Sequence, residues 1–257
     1  MIGCITGDIV GSVYEFANIK TKKFPLFDER CCFTDDTVLT IATADWLLHG
    51  GDIADYYTDY GVRYPASYGK HFFLWLSRAH CKTDKMPYYS CGNGSGMRVG
   101  PVGWAAISEM EALDKATQTA ICTHNHPEGI RGAQAIALAV WMARNERSKE
   151  VIRRAMTHTI GYDLNFTIDA IRPTYTWGAL CQDSVPQAIV CFLESTSFED
   201  ALRNAVSIGG DSDTLACMAG AIAEAYYGVP KEIREKTLSF IPDEFIRVID
   251  EFEEKYS

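Results

Sequence analysis

The apolar residues of this chain are spaced for helices, and this spacing constrains the fold more than any other feature. The segment 130–144 is dominated by alanine and contains Ile136, Leu138, Val140 and Trp141, which indicates a helix that is buried on most sides. The segment 214–227 is rich in small residues and is followed by Gly228 and Pro230, which indicates a second helix that ends there. No run alternates apolar and polar residues between two hairpin turns. We therefore expect an all-α fold, a compact multi-helix orthogonal bundle of ten or more helices.

Start and stop signals place eight of these helices. Pro186 is expected in the first turn of one helix, and Ser197 is expected to cap the next. The eight segments are 38–48, 103–116, 130–144, 184–193, 197–207, 214–227, 231–239 and 242–255. Longer loops are expected at 17–33, 82–101 and 161–183. The 257 residues contain no repeat and no Pro/Ser-rich linker, so we expect one domain, 1–257.

Charge and cysteine content limit the partners and the compartment. The formal net charge is −10, which argues against nucleic acid as a partner, although metal ions would still allow a phosphorylated ligand to bind. The nine cysteines form no C-x-x-C pair, which indicates reduced thiols and a cytoplasmic location. No segment has 18 consecutive apolar residues, so we expect no membrane partner.

Two clusters of oxygen-bearing side chains each precede an expected helix. The first is T-D-D-T at 34–37, and the second is G-G-D-S-D-T at 209–214. Carboxylate and hydroxyl oxygens without a neighbouring thiolate or imidazole suit Mg²⁺, Mn²⁺ or Ca²⁺ rather than zinc. The alternative is that each cluster only caps its helix, because Asp and Thr are favoured at that position.

A third acidic element lies near the start of the chain. Asp8 and Glu15 are seven residues apart, so on a continuous helix they would share a face. The alternative is that Asp8 and Glu15 only form part of a solvent-exposed acidic edge.

A glycine-rich segment offers a different kind of binding. In the segment 90–96, Gly92, Gly94 and Gly96 alternate with small polar residues, and such a loop presents backbone N–H groups to phosphate oxygens. An ordinary flexible loop is the alternative. His124 and His126 precede the 130–144 helix and would act either as ligand contacts or as capping and packing groups.

Taken in order, these motifs resemble the ADP-ribosylglycohydrolase family, which includes dinitrogenase reductase-activating glycohydrolase. The resemblance runs from residue 2 to about residue 230. Its anchors are G-D-I-V-G-x-x-x-E, F-T-D-D-T, G-N-G-S-G-M-R-V-G-P-V-G, T-H-N-H-P-E-G and G-G-D-S-D-T. One departure is Cys91, where some relatives have an aromatic residue, so that contacts there would depend on the backbone.

The resemblance implies the all-α fold of that family and two bound Mg²⁺ ions, with Mn²⁺ as a possible substitute. The metal ligands that it implies are Thr34, Asp35, Asp36, Asp211, Asp213 and Thr214. The substrate-binding residues that it implies are Ser90, Cys91, Gly92, Asn93, Gly94 and His124. The expected catalytic residues are Glu15, Asp35 and Asp36, and either Asp36 or Glu15 would take the proton from water.

The function implied by the resemblance is magnesium-dependent cleavage of the glycosidic bond between ADP-ribose and an acceptor on a modified protein, with ADP-ribose as product. Three alternatives remain open. One is a hydrolase of a small conjugate such as O-acetyl-ADP-ribose, another acts on modified nucleic acid, and the third is a non-catalytic, crystallin-like protein. The 161–183 segment, with Tyr162, Arg172, Tyr175 and Trp177, would form either the acceptor side of the cleft or ordinary packing.

Overall fold

Helices dominate the computed structural model, which describes residues 1–82 and 84–256. The first eight helices are α1 (Ile2–Ser12), α2 (Asp35–His49), α3 (Ile53–Arg63), α4 (Lys70–His80), α5 (Gly94–Met97), α6 (Gly100–Ala105), α7 (Glu109–Ile121) and α8 (Pro127–Arg144). The remainder are α9 (Lys149–Ala155), which runs into a π-helical turn (Met156–Ile160), α10 (Ile168–Ile171), α11 (Cys181–Leu193), α12 (Phe198–Ser207), α13 (Ser212–Tyr227), α14 (Lys231–Leu238) and α15 (Asp243–Tyr256).

The expected all-α class is confirmed. In the described part of the chain, β pairing is limited to one isolated bridge between Gly92 and Leu180. Along residues 1–82 and 84–256, no helix combines the length and the apolar character needed to cross a membrane.

The expected helix over 103–116 is wrong, because the structure divides it. Helix α6 ends at Ala105 and α7 begins at Glu109. Ser108 lies between them, and its hydroxyl accepts a hydrogen bond from the Glu111 amide at 3.2 Å. The Glu111 carboxylate accepts from the Ile107 amide at 2.8 Å. This reciprocal capping starts a new helix where apolar spacing alone suggests continuity.

The expected start of α11 is also wrong, whereas the expected cap of α12 is confirmed. Helix α11 begins at Cys181, so Pro186 lies inside it. The carbonyl that Pro186 leaves without a partner belongs to Gln182, which is exposed, and the break in the ladder is therefore tolerated. The Ser197 hydroxyl accepts from the Asp200 amide at 3.1 Å, as expected. The loops expected at 82–101 and 161–183 also contain the short helices α5 and α10.

Helix α13 lies at the centre of the fold and is buried along nearly its whole length. It packs closely against α1, where Gly3, Gly7 and Gly11 follow one another at intervals of four residues. A Cβ on Gly7 would lie 2.0 Å from the Ala216 carbonyl oxygen, and one on Gly11 would lie 2.4 Å from the Asp213 Cα. Only glycine allows this approach, which brings the C-terminal half of α1 beside the start of α13.

Candidate active site

A cavity of about 510 Å³ opens where the beginnings of α2 and α13 meet the end of α1 and the segment 88–94. All of the site residues assigned from the sequence line this cavity except Thr34. The fold therefore brings together side chains that lie as far apart in the sequence as Glu15 and Thr214.

Five carboxylates converge beside the cavity, and all of them except Asp8 line it. Oxygens of Asp8, Asp36 and Asp213 lie within 4.8 Å of one another, and so do oxygens of Glu15, Asp211 and Asp213. One buried oxygen of Asp36 and one of Asp213, Oδ1 in each case, have no hydrogen-bond partner among the described residues. Buried anionic oxygens without partners are costly, so this end of the cavity is built to receive positive charge.

Asp8 is completely buried, which contradicts its alternative role as a solvated edge. It accepts hydrogen bonds from the Thr34 amide at 2.8 Å and the Thr34 hydroxyl at 2.7 Å. It also accepts from the Thr37 amide at 3.0 Å and from the Thr37 hydroxyl. Asp8 thus fixes the first turn of α2 onto α1. The expected helical face shared with Glu15 is wrong, because α1 ends at Ser12.

Capping explains only part of the two Asp/Thr clusters. The Thr34 hydroxyl accepts from the Asp36 amide at 3.4 Å and so caps α2. Asp211 occupies the corresponding position of α13, but its side chain does not cap that helix. Instead, the Asp211 carboxylate accepts from the Asn93 side-chain amide at 2.7 Å. The second cluster is therefore directed into the cavity and toward the glycine-rich segment.

Burial and mutual repulsion make these carboxyls hard to ionise without a counter-charge. Burial, with the nearby Asp8 as the next cause, raises the pKa of Asp35 to about 8. Burial also raises the pKa values of Asp36 and Asp213 well above the usual range. For Glu15, burial followed by the charges of Asp211 and Asp8 raises the pKa to about 7.

The glycine-rich segment is tied down rather than freely flexible. The Gly92 amide donates to the Ser90 hydroxyl at 3.0 Å, and the Asn93 amide donates to the Ala179 carbonyl at 2.9 Å. Two of the N–H groups expected to face phosphate therefore have internal acceptors. Contacts with a ligand must come from other groups of this segment and from the side chains beside it.

His124 packs against this segment, and a Cβ on Gly94 would lie 3.1 Å from its Nε2. Its Nδ1 lies 2.8 Å from the Thr123 hydroxyl. That hydroxyl accepts a hydrogen bond from Arg98 at 2.8 Å. Burial, with the charge of Arg98 second, lowers the pKa of His124 well below its usual value. The ring is therefore neutral at pH 7, with one nitrogen as a donor and the other as an acceptor. His126 is a capping residue rather than a ligand contact, because its Nδ1 accepts from the Glu128 amide at 3.0 Å and caps α8.

Arg98 is a cavity residue that the sequence analysis missed. It is completely buried, and its guanidinium carbon lies 4.1 Å from the centre of the Tyr57 ring. Besides Thr123, it donates to the Thr119 carbonyl at 3.0 Å. Its Nε and Nη1 have no partner among the described residues. One sequence signal could have revealed it, because Arg98 is a charged residue between the apolar residues Met97 and Val99.

Of the four side chains proposed for the acceptor side, only Trp177 lines the cavity. Tyr162 belongs to the core. The Tyr175 ring lies against Gly210, and Arg172 is bound to Asp169 and to the Ser207 hydroxyl. Packing therefore accounts for three of the four.

Comparison with known proteins identifies the family. A family model described as ADP-ribosylglycohydrolase matches residues 1–256. The chain belongs to the ADP-ribosylglycohydrolase family. This membership confirms the expected resemblance and the enzyme class, a glycosidic-bond hydrolase that acts on ADP-ribose linkages.

Curated relatives span most of the chain at modest identity. ADP-ribosylhydrolase ARH3 of Bos taurus is 27% identical over 306 residues, covering 89% of this chain and 84% of its own length. ADP-ribosyl-[dinitrogen reductase] glycohydrolase of Rhodospirillum rubrum is 25% identical over 205 residues, covering 76% and 69%. ADP-ribosylarginine hydrolase Tri1 of Pseudomonas putida is 26% identical over 274 residues, covering 92% and 72%.

The fold of the family is also found in a solved structure. A chain of an "ADP-ribosylglycohydrolase-related protein complex" superposes with a TM-score of 0.77 at 20% sequence identity. The match covers 100% of this chain and 96% of that chain. At this identity the likeness concerns the fold alone.

Proposed function

We propose that this protein is a divalent-metal-dependent hydrolase that cleaves the glycosidic bond between ADP-ribose and an acceptor on an ADP-ribosylated protein. The observation that carries this proposal is the convergence of five carboxylates, two of them with unpartnered buried oxygens. Four of the five line one cavity together with a glycine-rich segment. The cavity volume of about 510 Å³ lies in the range of small-ligand sites.

The residues present fit two Mg²⁺ ions, with Mn²⁺ as a substitute, because all of the converging donors are hard oxygens. Asp36 and Asp213 each offer an oxygen that has no other partner. The hydroxyls of Thr34 and Thr214 donate their protons to Asp8 and Asp36, which leaves oxygen lone pairs for a cation. Asp35 and Asp211 complete the proposed ligand set. A bound divalent cation supplies Lewis-acid stabilisation and allows these carboxyls to remain ionised.

The other end of the cavity suits the ADP part of the substrate. Ser90, Cys91 and Gly94 border the cavity beside His124, whose imidazole offers a polar contact to a diphosphate or ribose oxygen. Tyr88 contacts the His124 ring with centroids 5.9 Å apart, and this pair supplies an aromatic surface for adenine. Cys91 has no aromatic ring to stack on a ligand, so its proposed contribution is a backbone contact.

Glu15 is the carboxylate that we assign to proton transfer. It lines the cavity, is half-buried, and has an oxygen within 4.8 Å of Asp211 and Asp213. Asp36 is already engaged by the Thr214 hydroxyl at 3.2 Å and is better placed to hold a cation. In this scheme Glu15 removes a proton from the water that attacks the anomeric carbon, the acceptor leaves with the bonding electron pair, and the proton held by Glu15 passes to the acceptor.

The compartment belongs to the same proposal. All nine cysteines are free, including the neighbours Cys31 and Cys32, and this favours the reducing environment of the cytoplasm.

Release of free ADP-ribose tests the proposal. Wild-type protein should release ADP-ribose from ADP-ribosylated protein or from O-acetyl-ADP-ribose with Mg²⁺ or Mn²⁺, and EDTA should abolish the release. Asp213→Asn should lower kcat by about 100-fold or more, the scale expected when a group that stabilises the transition state is lost. Asp114→Asn changes an exposed carboxylate on α7 and should leave the rate unchanged. Full activity of Asp213→Asn, or full activity in EDTA, would contradict the assignment.

A further inference from the structure

We propose that an exposed face of α4 docks the polypeptide that carries the ADP-ribosyl group and favours acidic and apolar residues next to the modified one. This surface, the α4 face, is formed by Lys70, His71, Phe73, Leu74 and Ser77. The inference rests on the proposed function, because it concerns the protein to which ADP-ribose is attached. It does not depend on which chemical group links the two.

Helix α4 carries two large apolar side chains on its solvent side. Phe73 is 58% exposed and Leu74 is 50% exposed. Lys70 precedes them by three and four residues, and Ser77 follows at the same spacing, so the four side chains share one face. Phe73 and Leu74 therefore present adjoining apolar surface that a partner can cover. The core is filled by the opposite side of the helix, where the buried residues are Phe72, Trp75, Leu76 and Ala79.

The α4 face begins at the cavity and continues away from it. Lys70 and His71 line the cavity, whereas Phe73 and Leu74 do not. An ADP-ribosyl group inside the cavity leaves its polypeptide outside, so that polypeptide crosses residues that border the opening. From Lys70 to Ser77 the helix rises about 10 Å, which is the length of about three residues of an extended chain. The α4 face can therefore contact about three residues on one side of the modified residue.

The charge of this region decides which polypeptide fits. The whole chain has a formal net charge of −10, yet between Asp59 and Glu109 the only acidic residue is Asp84, against six Lys or Arg. Within the described part of the chain, the exposed ammonium group of Lys70 forms no ion pair and no hydrogen bond. An unpaired cation beside apolar side chains is complementary to a carboxylate that has an apolar neighbour.

A polypeptide fits the α4 face better than a nucleic acid, which would also bring negative charge. Nucleic acid needs several cations placed along its phosphates, whereas two apolar side chains occupy the middle of this face. The next cations along the chain are already paired, since Arg78 lies 3.5 Å from Asp84 and Lys85 is bonded to Asp55. One free cation next to apolar surface suits a short acidic and apolar peptide segment.

The test compares peptides that carry ADP-ribose on the same residue, of the type that the wild-type protein hydrolyses. They differ only in the residues on either side, which are glutamate and leucine in one peptide, serine and glycine in a second, and lysine and leucine in a third. With Mg²⁺, wild-type kcat/KM should be about tenfold higher for the glutamate peptide than for the lysine peptide, mainly through KM. About 0.5 M NaCl should remove most of this difference, because exposed ion pairs are screened.

Variants of the α4 face separate its two contributions. Phe73→Ser combined with Leu74→Ser should lower kcat/KM about tenfold for the two peptides that contain leucine, and should change the Kd of free ADP-ribose less than about twofold. Lys70→Glu should reverse the preference between the glutamate and lysine peptides. The matched control is Ile107→Ser with Met110→Ser, which removes side chains that are 89% and 73% exposed and do not line the cavity. It should alter neither the peptide kinetics nor the binding of ADP-ribose.

The outcomes distinguish this inference from the proposed function. Equal wild-type kcat/KM for all three peptides would overturn the inference. So would weakened binding of free ADP-ribose that matches the peptide loss in the double serine variant, because α4 would then only support the cavity. Faster hydrolysis of an ADP-ribosylated oligonucleotide than of the glutamate peptide, or hydrolysis of O-acetyl-ADP-ribose alone, would also overturn it. In each of these cases the metal-dependent release of ADP-ribose stands. No release from any of these substrates with Mg²⁺ or with Mn²⁺ would overturn both.

Discussion

Gly7 on α1 lies in backbone contact with Ala216 on α13, where a Cβ on Gly7 would stand 2.0 Å from the Ala216 carbonyl oxygen. This contact joins two segments that are more than two hundred residues apart in the sequence. Asp8 follows Gly7, and Asp213 lies one helical turn before Ala216. The same close approach therefore places two of the converging carboxylates side by side.

Gly7→Ala should destabilise the protein strongly. The added methyl group would meet backbone atoms of α13 that have no room to move, and overpacking of this kind costs about 3 kcal/mol. Urea denaturation would measure the loss in the free energy of unfolding. Gly69→Ala is the matched control, because a Cβ there has nothing within 4 Å. Equal stability of the two variants would show that α1 and α13 do not pack in this way.

Asp8→Asn should loosen the first turn of α2. Asp8 accepts hydrogen bonds from the amides and hydroxyls of Thr34 and Thr37. The side-chain NH₂ group of an asparagine would either face these N–H and O–H donors or leave some of them without an acceptor. The expected loss in the free energy of unfolding is about 2 kcal/mol. Asp52→Asn provides the comparison, since Asp52 caps α3 from an exposed position and asparagine caps equally well.

Local features of the sequence predicted much of the helical framework. Helix α12 begins after Ser197 as expected, and α13 differs from the expected 214–227 by two residues. The sequence did not predict the division between α6 and α7, because the capping by Ser108 and Glu111 competes with apolar spacing that favours one helix. That the chain forms one domain, 1–257, stays a prediction.

The sequence predicted which residues form the candidate site better than it predicted the hydrogen bonds between them. The D-D-T and D-S-D-T clusters were recognisable because their carboxylates are grouped within a few residues. The hydrogen bonds between Asp8 and Thr34 depend on the packing of distant helices, and no local pattern reports such packing. Arg98 was missed for the same reason, since its partners Thr119 and Thr123 lie on another helix and its C-terminal turn. The roles assigned to the metal and catalytic residues stay predictions.

Metal-free protein should lose stability as the pH rises from 5 to 8, and Mg²⁺ should restore it. The ordinary pKa of Asp35 is 3.8, whereas burial and neighbouring carboxylates, chiefly Asp8, raise its pKa to about 8. Between those pH values the folded state retains a proton that the unfolded state has lost, so the free energy of unfolding falls as the pH rises. Bound Mg²⁺ reverses the effect by favouring the ionised carboxylates. Thermal unfolding at several pH values, with Mg²⁺ or EDTA, would measure Tm.

Asp213→Asn tests the source of that pH dependence. The substitution removes a carboxyl whose pKa burial raises well above the usual value, so the metal-free variant should show a flatter dependence of Tm on pH and a smaller gain in Tm with Mg²⁺. Asp114→Asn, on the exposed side of α7, should retain the wild-type dependence. A wild-type Tm that rises steadily from pH 5 to 8 in EDTA would contradict the prediction.

Arg98→Met should allow His124 to become protonated at higher pH than in the wild type. Arg98 donates to the Thr123 hydroxyl at 2.8 Å, and its charge is the second cause, after burial, of the lowered pKa of His124. Removing the guanidinium takes away that repulsion, so the pKa of His124 should rise. The Thr123 hydroxyl would also lose the guanidinium that holds it beside Nδ1, so ADP-ribose should bind more weakly. NMR titration of the His124 ring protons would follow the change. Arg131→Met removes an arginine that pairs with Glu128 at the surface and should leave the His124 titration unchanged. If Arg98→Met and wild type gave the same titration, Arg98 would not hold His124 in its neutral form.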